Sequence, residues 1–204
     1  MKKSLFNRFF RFSTLTGVLA FTALSNSAQA QSCPSYNESP MLASAVASGV
    51  LPVVGDRIPE EPLVVEVAEQ IGVYGGTMVD TTGGNRLAEF RHFGYEPLVR
   101  WSVDGSEIIP NVAKSWQVSD DATTYTFQLR KGMRWSDGEE FTADDIVFWW
   151  TFVEANKDIQ SKPRGYMVVR GEQATVTAVD KHTVQFSWSN PNGLLLENLA
   201  SPYG

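Results

Sequence analysis

Residues 119–150 read SDDATTYTFQLRKGMRWSDGEEFTADDIVFWW, and within them the hydrophobic period changes from that of a strand to that of a helix. Tyr125, Phe127 and Leu129 alternate with Thr124, Thr126, Gln128 and Arg130, the signature of a strand with one buried face. Trp116 and Val118 predict a preceding strand. Ser119, Asp120 and Asp121 predict the turn between the two, because short acidic side chains bond to nearby backbone donors. Asp137-Gly138 marks a second turn, between Met133 and Trp135 on one side and Phe141 on the other. Thr142 then fits an N-cap and Asp145 the capping-box position, with Asp144 also where the helix dipole favours negative charge. The helix they start runs to about residue 156, with Ile146, Trp149, Trp150 and Val153 at helical spacing and Val147, Phe148 and Phe152 on the other side. A helix apolar nearly all round is expected to be buried between layers.

These acids also admit a chemical reading. Asp120 and Asp121 could share a proton as a catalytic pair, but consecutive residues of a tight turn point apart into water. Local structure therefore accounts for Asp120, Asp121, Asp137, Asp144 and Asp145, and leaves Glu139 and Glu140 as solvated charge. The Trp149-Trp150 pair could form an aromatic ligand box, and core packing is the favoured reading.

Upstream, Ser39 and Pro40 predict the start of a short helix through Leu42, Ala45 and Val46 that stops at Gly49. Pro52, Pro59 and Pro62 then predict an extended arm whose apolar residues lie against a larger body. From Gly72 a short strand over residues 77–79 leads into a polar loop containing Gly83-Gly84, where positive backbone angles permit close approach of another group. The loop lacks the Gly-x-x-x-x-Gly-Lys pattern of a phosphate cradle, and it reads either as an ordinary loop or as one lining a ligand. Near the C-terminus, Val176 and Ala178, a turn at Asp180-Lys181, and then Val184, Phe186 and Trp188 predict a β-hairpin.

The first thirty residues have the order of an export signal. Lys2, Lys3, Arg8 and Arg11 precede an apolar run, LTGVLAFTAL, and small residues end at Ala28-Gln29-Ala30, so residues 1–30 are expected to be a cleavable signal peptide. The run is too short to cross a bilayer as a helix. Without it the balance is 13 basic against 23 acidic residues, a surface that repels nucleic acid and anionic membranes. Cys33 is the single cysteine, so an intrachain disulfide is excluded. Lipid attachment at Cys33 is the alternative to a small exposed side chain, although Ala30-Gln31-Ser32 matches a lipoprotein signal poorly.

The order of these pieces resembles a known family. YEPLVRW, IIPNVAKSW, the stretch from Val118 to Trp150, and VTAVDKHTVQFSW are together similar to the extracytoplasmic solute-binding proteins of the peptide/opine/nickel class, the family 5 binding components of ABC importers. Pro110, Ala113 and Trp116 meet one family element, with Val112 where Leu is usual. Leu129 to Gly132, Asp137-Gly138 and Phe141 to Asp145 meet three more, and the likeness runs from about Gly72 to about Leu199. It implies an α/β, periplasmic-binding-protein type II fold, with a mixed sheet, β-hairpins and packed helices. Its two lobes close on a solute and present it to a membrane permease. The second lobe is expected beyond Gly204, leaving here residues 31–71 as an N-terminal helix and arm and 72–204 as part of the first lobe. Such a piece is expected to be poorly stable alone.

For ligand contacts, the resemblance turns the loop of Thr81, Thr82, Gly83, Gly84 and Asn85 toward the cleft between lobes, where its backbone could pair with a peptide main chain. Tyr166, just after the buried helix and its loop, is a second candidate. The partners implied are a small peptide or similar solute and the permease, in the periplasm, with no cofactor, metal or catalytic residue. Opine, nickel chelate or sugar could take the peptide's place on the same scaffold. A secreted hydrolase is the rival class, yet His92 and His182 have no HExxH or paired spacing, and His182 falls in a hairpin turn where an exposed polar residue is expected. A chaperone-like β module is the third.

Overall fold

The computed structural model describes residues 36–77, 79 and 94–201. The chain divides into units Met1–Pro34 and Ser35–Gly204, and every described residue belongs to the second.

Helix α1 covers Ala43–Ala47, with Leu42 at its N-cap, so it starts later than the Ser39-Pro40 pair predicts. Gly49, at φ +74°, takes the left-handed conformation that stops it. The proline arm is not wholly extended: Val54–Arg57 forms one helical turn, α2, between Pro52 and Pro59. Arg57 holds that turn by donating to the Pro52 carbonyl at 3.0 Å and pairing with Glu38. The arm meets the body at Glu60 and Glu61. Glu61 accepts from Lys114 Nζ at 2.9 and 3.0 Å and from the Lys131 N–H at 3.2 Å. The Glu60 backbone lies so near Gly132 that a Cβ there would sit 2.5 Å from its nitrogen. Beyond this contact Val64, Val65, Val67, Ile71 and Val73 are exposed, so the apolar residues of the arm do not all pack as expected. The strand expected over residues 77–79 finds no support in the backbone of Thr77 or Val79.

Strands β1 (Val99–Trp101) and β2 (Ile108–Pro110) form a hairpin. Four strands then build the main sheet: β3 (Ala113–Val118), β4 (Thr124–Leu129), β7 (Thr175–Asp180) and β8 (Thr183–Ser187), in the order β3-β4-β8-β7. Strands β5 (Val168–Val169) and β6 (Glu172–Gln173) make a small third hairpin whose turn, Arg170-Gly171, has positive φ at both positions. Every pairing between described strands is antiparallel.

The period-two pattern puts Tyr125, Phe127 and Leu129 on one buried face with Val184, Phe186 and Trp188. Phe127 meets Phe186 edge to face at 5.7 Å, and Tyr125 meets Trp188 at 6.3 Å. Such ring pairs contribute about 0.5–1.5 kcal/mol each beyond their buried area. Helix α3 (Ala143–Phe148) starts at Thr142, whose N–H donates to the Asp145 carboxylate at 2.7 Å, as the capping box requires. It continues as a π-helical segment, Trp149–Glu154, and α4 (Leu195–Leu199) closes the described chain. The helix is not buried all round: Ile146 and Trp150 enter the core, whereas Phe148 and Phe152 stack on each other while 60% and 54% exposed. An apolar surface made by sequence alone does not guarantee that a second layer covers it.

Candidate functional site

A cleft of about 740 Å³ opens among the described residues. Its walls include Trp135, Phe141, Trp149, Arg164, Tyr166 and Leu199. Trp135 is set by the Asp137-Gly138 turn, in which the Trp135 N–H donates to Glu139 and the Gly138 N–H to Trp135, and it meets Phe141 edge to face at 5.3 Å. Trp149 and Trp150 therefore have different roles. Trp150 is 6% exposed in the core, and Trp149 is partly buried on the cleft wall, so one packs and the other is available as a surface.

The π-helical turn brings Glu154 into the interior, where it is 1% exposed. A buried carboxylate is costly unless paired and hydrogen-bonded. Here the backbone N–H of Arg164 donates to Oε1 at 2.6 Å, and the Arg164 guanidinium lies 3.6 Å from Oε2. The same guanidinium sits 5.9 Å from the centre of the Trp149 ring, within reach of a cation–π interaction. Glu154 thus fixes both the backbone and the head group of Arg164.

Tyr166 follows on a short 3-10 turn, Gly165–Met167. That turn is tied to the sheet by Asn192, whose Nδ2 donates to the Tyr166 carbonyl at 2.8 Å, and by Trp188, whose Nε1 donates to the Met167 carbonyl at 3.2 Å. Asn192 is itself held where its carbonyl accepts from the Tyr125 hydroxyl at 2.6 Å. The Tyr166 hydroxyl is buried and has no hydrogen-bond partner in close geometry among the described residues. Burial pushes its pKa up, and the nearby Arg164 guanidinium pulls against that rise.

The cleft brings together Tyr166 and residues the sequence reading assigned elsewhere or missed. Thr81, Thr82, Gly83, Gly84, Asn85, His92 and Cys33 lie outside the described residues. In the sequence the Trp149-Trp150 pair reads first as core and second as an aromatic ligand box, and neither Glu154 nor Arg164 has a motif around it. The aromatic density of 148–152 and the basic residue 164 beside Tyr166 are the only signals that could have pointed here. Asp120 and Asp121 belong to a turn, as expected. His182 and Glu140 depart from expectation: His182 is half-buried with Nε2 2.9 Å from Glu140, and Glu140 also accepts from Lys181 at 2.6 Å. The cause is the hairpin turn of β7 and β8, which folds against the start of α3, where the Ala143 N–H donates to the Lys181 carbonyl.

Residues 107–204 match the family described as bacterial extracellular solute-binding proteins, family 5, middle region. A periplasmic alpha-galactoside-binding protein of Rhizobium meliloti is 30% identical over 70% of this chain and 24% of its own length. A dipeptide-binding protein of Escherichia coli is 35% identical over 53% of this chain and 23% of its own. Among solved structures, the oligopeptide-binding protein OppA superimposes with TM-score 0.70 and 40% identity, covering 87% of this chain and 27% of that one. The periplasmic binding protein MelB of Agrobacterium fabrum, in complex with stachyose, gives TM-score 0.64 and 31% identity over 83% of this chain and 29% of that one. The chain thus has the fold of part of a periplasmic binding protein, and spans about a quarter of the length of these relatives.

Proposed function

The chain belongs to family 5 of the bacterial extracellular solute-binding proteins, and from that premise we propose that it forms part of a receptor that captures an oligopeptide and delivers it to the permease of an ABC importer. The observation that carries this reading is the likeness to OppA, which is named for oligopeptide binding and extends over 87% of the chain. The matched relatives are binding proteins, and the receptor reading needs no reaction from the acids of residues 119–150. Export by residues 1–30 to the periplasm fits both the order of that segment and the periplasmic relatives, with lipid attachment at Cys33 as the alternative anchor.

In this reading Thr81, Thr82, Gly83, Gly84 and Asn85 offer backbone groups to the peptide main chain, and Tyr166 lines the cleft. Calorimetric titration of the intact gene product with defined di- to pentapeptides is expected to give saturable heat. No heat with any peptide removes the reading. A second reading has its own support, since the alpha-galactoside and stachyose proteins match more than two thirds of this chain. The aromatic walls Trp135, Phe141 and Trp149 also suit a sugar face. Heat with stachyose and none with peptides decides for it.

A further inference from the structure

We propose that Glu61 and Glu140 are positioning residues that clamp the two legs of the hairpin 133–141, and so fix the wall of the cleft that Trp135 and Phe141 form; the effect on solute affinity rests on the receptor reading above. Met133, Arg134, Trp135 and Phe141 all line the cleft, and this one short hairpin carries them. Its own bonds join Arg134 to Glu140 across the legs, the Trp135 N–H to the Glu139 carbonyl at 2.8 Å, and the Phe141 N–H to the Met133 carbonyl at 2.9 Å. A two-stranded hairpin by itself is marginal in water, so anchors outside it must set where Trp135 stands.

Each leg has such an anchor. On the leg that leaves β4, Glu61 bonds Lys131 in both directions: its N–H donates to the Lys131 carbonyl at 3.3 Å, and its carboxylate accepts from the Lys131 N–H at 3.2 Å. The same carboxylate accepts from Lys114 of the edge strand β3 through both oxygens, at 3.0 and 2.9 Å. One side chain of the arm thus ties the base of the hairpin to the edge of the sheet. Gly132, at φ +79°, makes the approach possible, since a Cβ there would stand 2.5 Å from the Glu60 nitrogen. On the return leg Glu140 accepts from Lys181 Nζ at 2.6 Å and faces His182 Nε2 at 2.9 Å, so the turn of β7 and β8 holds the leg that runs into Phe141. Neither Glu61 nor Glu140 is among the residues that line the cleft, so both act on a solute through the hairpin rather than by contact. The carboxylates that do line it, Glu96 and Asp145, are engaged by the Asn111 side chain and the Thr142 N–H.

The test uses the intact gene product, with amide hydrogen exchange as one readout and calorimetric titration with trialanine and with stachyose as the other. Glu61→Ala removes an exposed ion pair and one bond to a backbone N–H, so exchange of the Trp135 and Phe141 amides is expected to quicken about fivefold. Exchange in β4 and β8 should stay at the wild-type rate, which a general loss of stability would not allow. Affinity for whichever probe wild type binds should fall about threefold, because the wall must then be ordered on binding. Glu61→Gln, which keeps an acceptor for the Lys131 N–H, should fall between wild type and Glu61→Ala in both readouts. Glu140→Gln should quicken the same amides from the other leg. Exchange of the hairpin that stays at the wild-type rate, or that rises equally in β4 and β8, overturns the clamp. A local rise at unchanged affinity overturns its role in solute binding and leaves the receptor standing. Absence of heat from wild type with either probe counts against the receptor reading, and the exchange pattern then still decides the clamp.

Discussion

Ala122 sits at φ +53°, a left-handed conformation that L residues with a Cβ rarely adopt. It does so because residues 119–124 repeat, bond for bond, the turn of residues 102–107. In the first turn Ser102 Oγ donates to Asp104 at 2.6 Å, and the Ser106 N–H and hydroxyl reach the same carboxylate oxygen at 3.1 and 2.8 Å. In the second, Ser119, Asp121 and Thr123 give 2.6, 3.1 and 2.8 Å. The position between the aspartate and the last hydroxyl is Gly105 at φ +70° in one turn and Ala122 in the other. Left-handed strain costs about 1–2 kcal/mol, and the extra freedom of glycine in the unfolded chain returns about 0.5–1 kcal/mol of that. Ala122→Gly is therefore expected to stabilise the chain by roughly 0.5 kcal/mol, read as a higher urea midpoint at unchanged slope. A lower midpoint contradicts the account of strain. The sequence makes Asp121 legible as a turn acid, but the αL demand on Ala122 is invisible in it, because alanine is not a residue that signals positive φ.

At the scale of elements, the hairpin of β7 and β8 was legible from alternation, and its partner was not. Period-two patterning tells which face of a strand is buried and is silent on what the turn touches. Here the turn touches the start of α3, through Lys181 and His182 on Glu140. The Lys181 ammonium, with His182 beside it, holds the Glu140 carboxyl below its usual range. A carboxylate lowered in the folded chain adds stability above its unfolded value, about 4.3, and loses it as pH falls through the lower folded value. Glu140→Gln should thus be less stable than wild type at pH 7, and the gap should close as pH falls below about 4.3. Urea midpoints of the two chains across pH 7 to 3 check this; a gap that stays constant removes the linkage of turn to helix. Asp104, lowered to about 2 mainly by the Ser102 hydroxyl, contributes in the same direction to both chains and drops out of the comparison. The same limit of patterning explains the candidate site. Glu154, Arg164 and Tyr166 meet because a π-helical turn and a 3-10 turn tied down by Asn192 bring them together, and neither turn has a signature in the residues that form it.

At the scale of the whole molecule, the decisive feature is apolar surface with nothing described against it. Phe148 and Phe152, one helical turn apart with ring centres 5.0 Å from each other, present a paired aromatic face to solvent. Ile159 is 61% exposed and the arm adds Val64, Ile71 and Val73, each at least 80% exposed. Exposed apolar residues in this number, two of them paired as rings, favour association of the chain with itself. The main sheet supplies a sound core, with Phe127, Leu129, Val184 and Phe186 almost wholly buried, so association rather than unfolding is the expected failure of residues 31–204 produced alone. Substituting both Phe148→Ser and Phe152→Ser removes exposed apolar area without touching Ile146 or Trp150, which face the core. Sedimentation velocity at equal concentration should show a larger monomer fraction for the double variant, with a thermal midpoint no lower than wild type. A wild-type chain that is already monomeric, melting cooperatively without aggregation, would mean that the exposed face is tolerated and that the unit stands by itself.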